Sequence, residues 1–279
     1  MYTVPIGLFT SALGSAGNDP NAQAIYGNLV AWWTLNDSAN TPTYIDSFAS
    51  HNMTLRSSSG TLNTSTLSVG GGIGGSNASG MGGSPTRTAY VPRADTVLDL
   101  GDFDFTFGGW FKTQAAAATT AFLMGRVGGH ANGVFNQLRA WIFIDNDTFI
   151  KARYSSDGSN LTATANSGIA FSNSINNLCV MTYDKTGGRL HLRIGNQNGS
   201  ITHANVALGA AIATANVDTN FTIGAGLQND SVTDLTTNRE GVFTADECFV
   251  ANLAMTDAQF TYMTNSGSGK TFTQLVADQ

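Results

Sequence analysis

Asp102-Phe103-Asp104-Phe105-Thr106-Phe107-Gly108-Gly109-Trp110-Phe111-Lys112 alternates rings with polar side chains through its first half. Successive side chains of a pleated strand point to opposite faces, so Phe103, Phe105 and Phe107 line one face and Asp102, Asp104 and Thr106 the other. A helix would scatter these rings around its axis, so the pattern specifies a strand. Glycine inside a strand marks a bulge or a close backbone approach, and Gly108-Gly109 are expected to re-aim the Trp110 ring towards the interior. Three rings on one face require a second layer to bury them.

The chain has 279 residues, enough for one large β domain or for a domain plus an arm. Only 11% of them are charged. With ordinary hydrophobicity this describes a folded protein with a polar, uncharged surface. A net charge of −6 offers no basic footprint, which argues against nucleic acid and against an anionic membrane surface. No apolar run approaches the ~20 residues that span a bilayer. The first Lys or Arg is Arg56, so the positively charged start of a secretory signal is missing and synthesis in a cytoplasm is expected. Cys179 and Cys248 sit in apolar runs and read as buried thiols; a disulfide is the alternative.

Residues 1–28 show no periodicity and carry Pro5 and Pro20, so they read as an extended arm. Strands are expected at Leu29–Leu35, Phe122–Val127, Leu138–Ile144, Thr148–Tyr154, Leu178–Tyr183, Arg189–Ile194 and across Gly241–Met255. Gly60–Ser84, with nine glycines and no charge, reads as a surface loop, and Gly128–Asn136 as a Gly/Asn loop. In the hairpin around Asp184–Gly188, Leu190, Leu192 and Ile194 face one way and Arg189, His191 and Arg193 the other; were Tyr183 opposite Arg189, ring and guanidinium would share a face. One helix is expected at Thr256–Met263, where Thr256 and Gln259 form a capping box and Asn265-Ser266-Gly267 stops it. The result is an all-β, two-sheet antiparallel sandwich with one short C-terminal helix, followed by a tail from residue 266.

Catalytic motifs are few. Gly70, Gly72 and Gly75 have G-x-G-x-x-G spacing, but no helix is expected to follow and hold a pyrophosphate. Ser266–Thr271 resembles the end of a phosphate loop, yet Thr264 stands where its first glycine belongs. His51, His130, His191 and His203 are scattered, without zinc spacing, and no G-x-S-x-G elbow occurs. The acidic turn Asp145–Asp147 lacks the remaining ligands of a calcium loop.

Taken in order, several segments resemble the laminin-G-like branch of the concanavalin-A-like lectin/glucanase jelly rolls. They are Leu29–Leu35, Asp46-Ser47 with Asn52–Leu55, Tyr90-Val91-Pro92 to Leu98–Leu100, Phe105–Trp110, Met181–Asp184 with Leu190–Leu192, Ile223-Gly224 and Asp246-Glu247 with Leu253–Met255. The resemblance spans about residues 29–265 and implies the jelly-roll fold. The glucanase branch needs an E-x-D-x-x-E strand with carboxylates about 5–5.5 Å apart, and no such strand is present. Asp246 and Glu247 are adjacent and expected on opposite faces. The resemblance therefore implies a binding or structural module rather than an enzyme. It also implies a structural Ca²⁺ on the rim, with Asp46 and Asp246 as first candidate donors.

Composition and the absent signal favour a non-enzymatic structural or adhesive component of a bacteriophage virion surface. Such a protein would contact other virion proteins or further copies of itself through the arm. The alternative is a carbohydrate-binding module of a secreted bacterial protein that recognises surface glycans. His130 and Phe135, in the Gly128–Asn136 segment, are the candidate ligand contacts.

Overall fold

The computed structural model describes residues 17–36, 43–57, 60–61, 67–68, 72–73, 78–81, 87–91, 98–113, 121–131, 134–145, 148–171, 175–213, 220–224 and 243–279. Two antiparallel sheets face each other. The first has eight strands, in the order Ile201–Ala207, Arg189–Asn196, Asn177–Asp184, Phe105–Thr113, Phe243–Ala251, Ala78–Met81 and Leu67–Ser68, with Leu29–Trp33 also paired to Phe243–Ala251. The second has nine, in the order Ala163–Ala170, Phe149–Tyr154, Val134–Ile144, Ala121–Ala131, Phe221–Ile223, Arg87–Val91, Met53–Ser57 and Thr43–Tyr44, with Gly60–Thr61 beside Met53–Ser57.

The central strand, Phe105–Thr113, places Phe105, Phe107 and Phe111 in the core between the sheets. Phe105 stacks on Tyr183 at 5.2 Å and Phe107 meets Phe221 edge-on at 5.7 Å. Phe103 departs from the expected pattern: it lies ahead of the strand and is 40% exposed. The cause is the pair of aspartates around it. Asp102 accepts from Tyr183 Oη at 3.1 Å and pairs with Lys185, while Asp104 accepts from the Thr186 hydroxyl at 2.9 Å. These bonds tie the segment to the hairpin turn and draw it out of the sheet.

Trp110 also departs from expectation. The Phe105–Thr113 strand runs in unbroken register with Asn177–Asp184, so its glycines make no bulge. They permit close approach instead, since a Cβ at Gly108 would overlap the Cys179 carbonyl and one at Gly109 the Cys248 sulfur. Regular alternation then sends the Trp110 ring to the outer face of the first sheet, where it is buried. Cys179 and Cys248 flank Gly109 on the two neighbouring strands, both buried and free. Two strand spacings, about 9.5 Å, exceed disulfide reach.

That outer face carries a third layer. Three helices pack there, α1 (Pro20–Tyr26), α2 (Asp257–Thr264) and α3 (Phe272–Asp278), where the sequence reading allowed one. Ala22, Ile25, Phe260, Met263 and Leu275 form an apolar cluster with Trp32, Trp110 and Phe249 of the sheet. Residues 20–26 of the expected arm therefore fold back onto their own sandwich, and residues 1–16 lie outside the described residues.

Other boundaries moved too. Gly128–Asn136 belongs largely to two long paired strands rather than a loop. Short strands at Gly60–Thr61, Leu67–Ser68 and Ala78–Met81 fall within Gly60–Ser84. In the Asp184–Gly188 hairpin the register sets Asp184 opposite Arg189, and Tyr183 faces Leu190 in the core.

Candidate functional site

Three chain segments meet over the helical layer and leave an open groove of about 520 Å³. Asp19 and Asn21 line it from the start of α1, Ala258, Thr261 and Tyr262 from α2, and Asn265, Ser266 and Lys270 from the turn that follows. Asp19 caps α1 by accepting from the Asn21 N–H at 2.8 Å, and its own N–H donates to the Asp278 carbonyl at 2.9 Å. That places one wall against the end of α3. A capping box between Thr256 and Gln259 fixes α2.

Asn265 ends α2 as its left-handed C-cap, and Ser266 after it is left-handed too, with φ of 45° and 54°. Such residues cost of order 1 kcal/mol each and persist where surroundings over-determine them. Here the Asn265 amide donates to the Gly269 carbonyl at 3.2 Å. Gly267, at φ 96°, presses the turn against Gln197 so closely that a Cβ would overlap its carbonyl oxygen.

One charge network sits at the groove. Lys270 Nζ pairs with Asp278 Oδ2 at 2.7 Å and lies 4.8 Å from the centre of the Tyr262 ring. The Tyr262 hydroxyl donates to the same Asp278 oxygen at 2.9 Å. The Lys270 hydrogen bond holds the Asp278 carboxyl below its usual range, while burial, then Asp278, pushes the Tyr262 hydroxyl up. The groove thus presents one ring, one ammonium, the Asp19 carboxylate and several amides and hydroxyls. These groups can hydrogen-bond a polyhydroxyl ligand, and among the described residues the lining includes neither histidine nor cysteine.

The residues singled out from sequence lie elsewhere. His130 and Phe135 are directly opposite each other near the end of the long hairpin of the second sheet. Asp46 organises its own loop, accepting from the N–H groups of Trp32 at 2.9 Å, Phe48 at 3.0 Å and His51 at 3.0 Å. Three of the roughly four lone-pair directions of a carboxylate are thereby taken, a poor fit to a cation ligand. Asp246 accepts from the Ile73 N–H at 3.0 Å. Among the described residues, no group of three or more His, Cys, Asp or Glu side chains is placed to hold a metal ion.

Asp246 and Glu247 do not face opposite ways. The pairing of Phe243–Ala251 with the central strand slips between Asp246 and Phe249, a bulge that the sequence reading had placed at Gly108-Gly109. Glu247 is in the left-handed region at φ 47°, and its carboxylate turns to the helical side. It accepts there from Trp32 Nε1 and, at 3.2 Å, from the Phe272 N–H. Burial, reinforced by Asp246, pushes this carboxyl up to about 8. Both carboxylates are buried beneath the helices, away from the groove lining.

His191 and His203, scattered in sequence, are neighbours in space. His191 Nδ1 lies 2.8 Å from His203 Nε2, and their other nitrogens lie 3.5 Å from Asp184 and 3.4 Å from Asp257 respectively. Arg193 Nε donates to Asp257 at 2.7 Å, so the cluster ties the edge hairpin of the first sheet to the start of α2.

No family model and no curated protein matches the chain. Solved structures do. The binding domain of Paraclostridial Mosquitocidal Protein 1 aligns at TM-score 0.59 and 13% identity, covering 86% of this chain and 52% of that one. The ligand binding domain of botulinum neurotoxin serotype D, in complex with N-acetylneuraminic acid, aligns at 0.56 and 10% identity, covering 88% and 52%. Trypanosoma rangeli sialidase, in complex with the inhibitor DANA, aligns at 0.53 and 12%, covering 87% and 34%. At such identities the likeness is one of fold, the β-sandwich of these binding domains. The chain spans about half the length of the toxin domains and about a third of the sialidase.

Proposed function

We propose that this chain is a non-enzymatic binding module and that it takes a glycan in the groove between α1, α2 and the Asn265–Lys270 turn. The observation that carries this reading is the groove lining: the Tyr262 ring and Lys270 ammonium beside Asn21, Thr261, Asn265 and Ser266. Sugars present hydroxyls that both donate and accept, and amide and hydroxyl side chains match them, while a ring offers an apolar face. The neighbours add weaker support for a sugar ligand as a class only, one being held in complex with the sugar N-acetylneuraminic acid.

The non-enzymatic part rests on how the carboxylates are engaged: Asp246 and Glu247 are buried and hydrogen-bonded under the helices, while at the groove Asp19 is bonded to the Asn21 N–H and Asp278 to Lys270 and the Tyr262 hydroxyl. Display on a virion surface is the finer proposal. It rests on the charge-poor, polar composition, and labelled antibody located by electron microscopy on native particles would test it.

A glycan array probed with the purified protein, followed by calorimetry on the best ligand, tests the binding reading. Tyr262→Ala is expected to weaken binding at least about tenfold, the scale of one lost stacking contact. Undiminished binding by a folded Tyr262→Ala protein would contradict the groove assignment, and measurable hydrolysis of a bound glycan would contradict the non-enzymatic one.

A further inference from the structure

The charges around the groove bear on which glycans it takes. We infer that it selects an uncharged glycan and discriminates against one bearing a carboxylate; this deepens, and rests on, the binding function proposed above. Among the described residues of the lining the one cation is Lys270, and its ammonium is already paired with Asp278 at 2.7 Å. Asp19 adds a second carboxylate, held at the groove wall by its bond to the Asn21 N–H. The lining holds Asp19 against Lys270, and Asp278, just outside the lining, already neutralises that ammonium, which leaves Asp19 uncompensated on a chain whose net charge is −6.

A sialic acid carboxylate could recruit Lys270 only by displacing Asp278. That would leave the Asp278 carboxylate without its ammonium, with only the Tyr262 hydroxyl still donating to it. The incoming anion would then face both Asp278 and Asp19. Like charges brought together at a binding surface oppose association and serve to exclude wrong partners. A neutral sugar meets none of this. Its hydroxyls can donate to the Asp19 carboxylate and exchange hydrogen bonds with Thr261, Asn265 and Ser266 while the Lys270–Asp278 pair stays closed. The acceptor-rich wall thus suits a ligand with many O–H donors and no formal charge.

The test uses matched glycan pairs that differ only by a terminal sialic acid, first on an array and then by calorimetry with the full chain. The neutral member should bind, and its sialylated partner should bind at least about fivefold more weakly, the gap shrinking as salt rises. Asp19→Asn removes the charge yet keeps an equally good helix cap, so the protein should fold and the gap should narrow. Equal or tighter binding of the sialylated member would overturn the inference while leaving the groove a glycan site. An unchanged gap in Asp19→Asn would overturn it in the same way. Binding of neither member, or of the neutral one without sensitivity to Tyr262→Ala, would overturn the proposed site itself.

Discussion

Glu247 shows what one residue does to a strand. As the extra residue of a bulge it moves its own carboxyl from the inter-sheet core, where alternation would send it, to the helical side. There it is 2% exposed, beneath Trp32 and Phe272. Asp246-Glu247 breaks the apolar run with two adjacent charges but carries no glycine, whereas Gly108-Gly109 carried the expected bulge signal for a different reason. The raised carboxyl has a measurable consequence. Its ordinary value is 4.5 and its folded value about 8, so between them the folded state holds a proton that the unfolded state has released. Stability from this group is therefore lost as pH rises through that window. Chemical denaturation should give a stability lower by about 1–2 kcal/mol at pH 8 than at pH 6.5. Glu247→Gln should flatten that slope; a variant with the same slope as the parent would assign it elsewhere.

Among elements, strands were the legible part. Period-two alternation at Phe105–Phe107 and at Leu190–Ile194 read correctly because each has one face in a core. The helices were read unevenly. Thr256-x-x-Gln259 was recognised as a capping box, yet Thr271-x-x-Gln274 is the same motif and starts α3. Pro20 suggests an irregular arm, whereas Asp19-Pro20 is a cap followed by the first helical residue, where proline is favoured. Both helices are seven residues long, too short for periodicity to outweigh such signals, and packing on the sheet sustains them. The histidine pair belongs to this scale because it joins two elements. Burial, then the charge of Arg193, lowers both rings below their ordinary value of 6.5, against the pull of Asp184 and Asp257. The folded state then binds fewer protons than the unfolded chain just below that value. Stability from the pair is present above it and is lost as pH falls through it. A pair joined at 2.8 Å needs one ring as acceptor, and double protonation removes it. In the Glu247→Gln background, the urea midpoint should fall between pH 6.5 and 5, and His191→Gln should reduce that fall. A flat midpoint would show that the pair contributes nothing to holding the hairpin.

At the scale of the whole molecule, the chain is a sandwich with a helical cover, and the groove belongs to the cover. The fold class was legible from one strand and the order of segments around it. The groove was not, because Asp19, Tyr262 and Ser266 share no motif and converge only after three helices dock on the outer face of the first sheet. Sequence reasoning looked for ligand contacts at a loop tip and found His130 and Phe135, which the structure places in paired strands of the other sheet. A crystal structure of the protein soaked with its tightest array ligand would separate the two positions most directly. The account predicts a sugar ring seated against Tyr262, between Asp19 and Ser266, with the Lys270–Asp278 pair intact. A sugar bound instead at the hairpin of the second sheet, beside His130 and Phe135, would contradict it.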